Sequence, residues 1–188
     1  MSSNQDDQEQ YQSGAPQGES YVGEDADEEA APAEAALELE SPVQWRIAKS
    51  LETLRAQINA MAPGRNKASD GGIGDPEHAS RKSDHNPWVD LRNNRGVVTA
   101  RDFTHDPKGG CDAGVLAEQI RAAKDPRVKY IIWNRQIASS SPIGSAPPWA
   151  WRPYTGKNPH NHHVHISVQP EGSKYDSEAP WAINKLTG

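Results

Sequence analysis

In this 188-residue chain, two histidines one residue apart are the first side chains whose type and spacing point to chemistry. In HVHISV (163–168), the period-two geometry of a strand puts His163, His165 and Ser167 on one face and Val164, Ile166 and Val168 on the other. The aliphatic face must pack on a core, so the two imidazoles are expected to stand together on the opposite side. The plain alternative is a histidine-rich surface edge. GVVTARDF (96–103) repeats the logic with a carboxylate, because Val98, Ala100 and Asp102 share a face. An inward Asp is costly to desolvate unless it is paired or bound to a cation; otherwise it is a capping or turn carboxylate at the strand end. Two neutral imidazoles and a carboxylate, with water in the fourth position, make an open tetrahedral zinc site. Such a site acidifies its water and polarises a carbonyl, which is the chemistry of amide hydrolysis.

All seven histidines fall into two groups, His78, His85 and His105, then His160, His162, His163 and His165. The elements that must position them follow from periodicity and punctuation. Ser41-Pro42 reads as an N-cap with Pro at the first helical position, and Val43, Ile47, Leu51, Leu54, Ile58 and Met61 recur at helical spacing. This predicts an amphipathic helix of about five turns that ends at Pro63-Gly64. Residues 64–96, dense in Gly, Asp, Asn, Ser and Pro, read as a long loop of the kind that often carries function. Strands are predicted at 96–103, 128–133 and 163–168, with 135–139 as a hairpin partner to the second. Asp112 is expected to cap a helix over 113–123. A helix followed by short strands joined by hairpins and loops predicts an α+β fold, a small, mainly antiparallel sheet flanked by helices.

Composition bounds the function classes. One domain with room for a tail fits the length, and a mean hydropathy of -0.88 is polar for a globular chain. Residues 1–40 carry 12 acidic residues and no Lys or Arg, leaving 14 acids against 20 bases in 41–188, a net of about +6. The first segment cannot bury enough apolar surface to offset ordering its backbone, so 1–40 is expected to be an acidic disordered tail and 41–188 the folded domain. The basic remainder suits an anionic polymer, whether nucleic acid, teichoic acid or peptidoglycan. No apolar run approaches the ~20 residues of a membrane span, and MSSNQDDQEQ lacks the basic and apolar regions of a secretory signal. A single cysteine, Cys111, excludes an internal disulfide and reads as a bystander.

Three segments together carry a resemblance. Ser83-Asp84-His85, the run GVVTARD ending at Asp102, and His163-Val164-His165 resemble the S-x-H, G-x-A-x-D and H-x-H pattern of bacterial cell-wall zinc peptidases. That superfamily includes D-Ala-D-Ala carboxypeptidases, L-alanyl-D-glutamate endopeptidases and penicillin-insensitive murein endopeptidases, and it shares its fold with the Hedgehog signalling domain. More narrowly, residues 67–87 followed by 96–107 are similar to a phage and prophage lysis group. The resemblance spans roughly 42–168. It implies a Hedgehog/DD-peptidase-like fold, Zn2+ as cofactor, peptidoglycan as partner, and His85, Asp102 and His165 as metal ligands. Two departures stand out: the spacer from His85 to Asp102 is lengthened by NPWVDLRNNR, and His162 stands where many members have a carboxylate base. The murein endopeptidase branch has a histidine at the position of His163, so His163 is the preferred general base, with His162 and His160 behind it. Arg81, Lys82 and Arg65 are candidates for a substrate carboxylate or an oxyanion, or are solvated cations. Trp149, Trp151 and Tyr154 are candidate substrate-stacking residues.

A lysis enzyme of this kind would stay in the host cytoplasm until release to the wall, or ride in a virion. A non-catalytic wall-binding or virion module that keeps the fold is the alternative. A histidine-rich metal nuclease built on DHNP and HNHH is the third reading; the strand-borne motifs favour the peptidase, hence no nucleic-acid partner is expected.

Overall fold

The structure, a computed structural model, describes residues 30–32, 44–74, 83–92 and 95–188. Apart from Ala30–Pro32, the acidic segment 1–40 lies outside the described residues, as do the expected helix start at 41–43 and His78, Arg81 and Lys82. The fold is α+β with mostly antiparallel sheets, as the sequence predicts. Its strands are β1 (Ala30–Pro32), β2 (Gln44–Ile47), β3 (Gly71–Gly74), β4 (Val89–Arg92), β5 (Arg95–Val98), β6 (Ala100–Thr104), β7 (Val128–Trp133), β8 (Gln136–Ser139), β9 (Arg152–Pro153) and β10 (His163–Val168). Three helices, α1 (Lys49–Met61), α2 (Ala113–Ala123) and the short α3 (Gly172–Tyr175), complete the described elements. None is long and apolar enough to cross a membrane.

The central sheet has the order β6-β10-β7-β8-β9 and is antiparallel throughout. Its β7–β8 hairpin turns on Asn134 and Arg135, both at positive φ, the two-residue geometry that follows the strand twist. On one face, Phe103, Ile131, Val164, Ile166 and Val168 pack in a single core with Leu51, Leu54 and Ile58 of α1 and Leu116, Ala117 and Ile120 of α2. The α2 boundaries fall where the sequence places them, with the Asp112 carboxylate accepting from the Gly114 and Val115 amides at 2.8 and 3.3 Å and Lys124 closing the helix at φ 50°.

Three expectations need correction. The first helix begins at Lys49, because Gln44–Ile47 is a strand paired parallel with β5 from Gln44↔Arg95 to Ile47↔Val98. Trp45 and Ile47 alternate onto Ile73 and Val98, and the four-residue step from Ile47 to Leu51 matches a helical stripe only by coincidence. The long loop 64–96 contains β3, β4 and the start of β5. A Cβ on Gly72 would lie 2.3 Å from Ile47 Cδ1, so this glycine marks close packing in a strand. Lastly, 96–103 is two strands. At Thr99 the chain leaves the three-stranded sheet β2-β5-β4 for the central one, its amide bonding the Asp84 carbonyl at 3.0 Å and its carbonyl accepting from the Val168 amide at 2.8 Å.

The C-terminal segment closes the helical face without regular structure of its own. Trp181 donates its indole N–H to the Ser50 carbonyl at 2.8 Å, and Arg127 lies 4.0 Å over its ring. The backbone of Trp181 exchanges two bonds with the Gln57 side chain. Replacing Trp181 by Ala is therefore expected to cost ~3–5 kcal/mol in urea-melt stability. Cys111 is fully buried, and burial pushes its thiol up to about 11. It should resist alkylation by iodoacetamide at pH 8 in the native chain and react once the chain is unfolded.

Candidate metal centre

While Arg101 of β6 turns to the helical side and pairs with Glu52 of α1, the side of the central sheet away from the helices carries Asp102 and the histidines of β10. Register sets them in rows: Asp102 stands opposite His165, Thr104 opposite His163, and Ala100 opposite Ser167. Residues directly opposite in an antiparallel pair share a face, so the carboxylate and the imidazole are side by side. Val164 and Phe103, also paired, point into the helical core, as the alternation of both strands predicts.

His85 reaches these strands from a tight turn over 83–86. Its amide donates to Ser83 Oγ at 3.2 Å, its carbonyl accepts from the Gly74 amide at 3.1 Å, and the Asn86 amide closes on the Ser83 carbonyl at 2.9 Å. The turn lies so close to β5 that a Cβ on Gly96 would come 1.6 Å from the Pro87 carbonyl oxygen. Only glycine permits that approach. Between His85 and Asp102, residues 89–92 form β4, which pairs antiparallel with β5, and His85 stands beside Asp102.

Three atoms converge. His85 Nε2 is 3.1 Å from His165 Nδ1, His165 Nδ1 is 3.2 Å from Asp102 Oδ1, and Asp102 Oδ1 is 3.6 Å from His85 Nε2. Ligands held about 2.0–2.1 Å from a tetrahedral ion sit about 3.3–3.4 Å apart, so these three atoms match one face of such a tetrahedron. The tautomers agree. His85 Nδ1 donates to the Gly72 carbonyl at 3.0 Å, which leaves Nε2 with its lone pair, and His165 Nε2 bonds Ser167 Oγ at 2.9 Å on the side away from Asp102. Hydrogen bonds of this kind orient histidines that ligate metals.

Electrostatics point the same way. All three side chains are buried, and neither oxygen of Asp102 has a well-formed hydrogen bond. Burial alone would raise the Asp102 carboxyl, but the imidazoles of His163, His85 and His165 reverse the sign and hold it well below the usual carboxylate range. Burial pushes His165 down, against the opposing pull of the Asp102 carboxylate. A buried carboxylate with two buried imidazoles within 3.6 Å is a set of groups that a cation can join. His85, Asp102 and His165 can therefore hold a metal ion.

Around this set, His163 lies with Nε2 3.6 Å from Asp102 Oδ2, and neither of its ring nitrogens has a hydrogen-bond partner. His160, at φ 50°, brings its ring within 5.1 Å of His163 and 5.6 Å of His165, measured between centroids. Its Nδ1 donates to the Asn158 carbonyl at 2.9 Å, its Nε2 is buried without a partner, and burial pushes it down to about 3. Tyr154 meets His160 edge-on at 5.5 Å. Tyr130, which the sequence reading passed over, stacks on His165 at 5.4 Å and 7°. Period-two alternation in VKYIIW could have found it, because Tyr130 and Ile132 pair with Ser167 and His165.

Other candidates stand elsewhere. His162 is exposed and joins none of these ring contacts, and its carbonyl accepts from the His105 amide. His105 packs on Trp133, and its Nδ1 accepts from the Ala113 amide. Trp149 and Trp151 pack against the helical core, Trp149 accepting from Arg121 through its carbonyl and Trp151 donating to Glu118. Arg65 is buried in a bidentate pair with Asp70, whose Oδ1 also accepts from the amide and hydroxyl of Thr104; it ties down the end of β6 and is no solvated cation.

Zinc titration of the metal-free chain is expected to saturate at one ion per chain and to raise Tm, since an ion at 100 times its Kd stabilises the native state by ~2.7 kcal/mol. Asp102→Ala should lose more affinity than the ~10–100-fold typical of losing a ligand's hydrogen-bond partner, and a chelator should lower Tm of the wild-type chain only.

Compared with family models, with curated proteins and with solved structures, the chain finds no match.

Proposed function

We propose that this chain is a zinc-dependent peptidase that hydrolyses an amide bond in peptidoglycan stem peptides or cross-links, on a Hedgehog/DD-peptidase-like fold. The observation that carries the reading is the convergence of His85 Nε2, Asp102 Oδ1 and His165 Nδ1 within 3.6 Å, with His163 against the other oxygen of the same carboxylate. Zinc suits two imidazoles and one carboxylate, and it supplies the Lewis acidity that amide hydrolysis requires.

The remaining steps belong to the chain. Asp102 faces ligands with one oxygen and His163 with the other, so it fixes both halves of the site. His163, with both nitrogens unpartnered, takes the proton of the attacking water and returns it to the leaving amine. Burial holds the His160 ring neutral near pH 7. Tyr154 is the one of the three aromatic candidates that lies beside these imidazoles. By its resemblance to phage lysis enzymes, the chain would act from a host cytoplasm after release to the wall, or from a virion.

Purified sacculi incubated with the chain are expected to release peptide fragments whose new termini name the bond, and a chelator should stop the release. His163→Ala should retain zinc while losing at least ~100-fold in rate, the low end of general-base contributions. Zinc-loaded, folded protein that releases nothing would instead favour the non-catalytic wall-binding or virion module, for which the exposed His162 at the usual carboxylate position is the supporting observation.

A further inference from the structure

We propose that Lys129 is a positioning residue of the metal centre, acting through Asp84 to hold the turn that carries His85. The inference rests on the metal-centre reading and concerns a residue outside the ligand set. Lys129 Nζ lies 2.9 and 2.7 Å from the two oxygens of Asp84. The Asp84 side chain is 8% exposed and that of Lys129 34%, so the carboxylate is inside and its cation reaches it from the surface. Asp84 immediately precedes His85, and its own carbonyl accepts from the Thr99 amide at 3.0 Å.

The pair joins two parts of the chain that carry different halves of the site. On one side is the 83–86 turn, with His85. On the other is β7, which hydrogen-bonds to β10 beside His165 and presents Tyr130, the ring stacked on His165, directly after Lys129. Lys129 Nζ also lies 5.3 Å from the centre of the Tyr130 ring. The ammonium is thus placed to fix the spacing between the turn of one ligand and the strand that supports another. Without it, Asp84 is a buried charge with no cation among the described residues, and a carboxylate in that position draws its turn toward water. Movement of Asp84 moves the next residue, and the His85 ring would leave the Gly72 carbonyl that sets its tautomer. Partners of this class change metal affinity by ~10–100-fold when lost.

The test uses the full-length chain, with zinc affinity read by competition with a chromophoric chelator and the ligand field read from Co2+ absorption. Lys129→Met is expected to bind zinc 10–100-fold more weakly, to release it faster and to change the Co2+ band intensities, while Lys129→Arg, which keeps the charge, stays near wild type. Trp181→Ala, a destabilising change on the helical face, should leave zinc affinity unchanged, which separates positioning from general loss of stability. If Lys129→Met does not fold, Asp84→Asn with Lys129→Met removes the unpaired charge and should fold while still binding zinc weakly. Wild-type affinity in a folded Lys129→Met or in the double variant would overturn the proposal and leave the metal centre intact. A wild-type chain that binds no zinc would overturn both.

Discussion

Asp102 brings a carboxylate into the interior of the central sheet, on a strand buried along its whole length, and the rest of the site is arranged around that charge. In a medium of low polarisability an ionised carboxylate without compensation is among the costliest groups a fold can hold. Here three imidazoles face it, and each is fixed by something else: His85 by the Gly72 carbonyl, His165 by Ser167 and the stacked Tyr130, His163 by the edge of His160. Each anchor leaves a ring nitrogen or an oxygen turned inward. Within the resulting cluster, His85, Asp102 and His165 could hold a metal ion.

Such a cluster contributes little to folding by itself, so the stability that holds it open must come from elsewhere. The two-faced character of β6 and β10 supplies it. Among the residues that alternate with Asp102, His163 and His165, Phe103, Val164 and Ile166 enter an apolar core with α1, α2 and the C-terminal segment around Trp181, and Arg101 pairs with Glu52 of α1. Arg65, Asp70 and Thr104 then fix the end of β6 from the loop side. The helical face carries the hydrophobic stabilisation, while the opposite face is free to keep polar atoms without partners.

A second constraint is proximity. His85 arrives from a segment distant in sequence from the sheet, and it reaches Asp102 only because backbone can approach backbone closely at two glycines. At Gly72 a side chain would collide with Ile47, and at Gly96 with the Pro87 carbonyl. The β4 strand between His85 and Asp102 pairs with β5 in its own sheet.

Much of this was legible in the sequence where one periodicity acts alone. The two faces of HVHISV, the inward Asp102, the cap at Asp112, the α2 boundaries and the β7–β8 hairpin follow from local geometry, because a strand alternates and a helix repeats whatever surrounds it. The sequence also determined that His163 and His165 would share a face. What only the tertiary structure decided is everything that depends on approach between distant segments. GGIG became a strand although glycine disfavours one, the helical stripe before Lys49 became β2, and Trp149 and Trp151 packed toward the helices while Tyr154 stayed with the histidines. The partner of Asp102 on β10, the anchor on His85, the stacked Tyr130 and the Lys129–Asp84 pair are fixed by register and by contacts across the sheet. Local spacing specifies which way a side chain points along its own strand, and only packing specifies what stands opposite it.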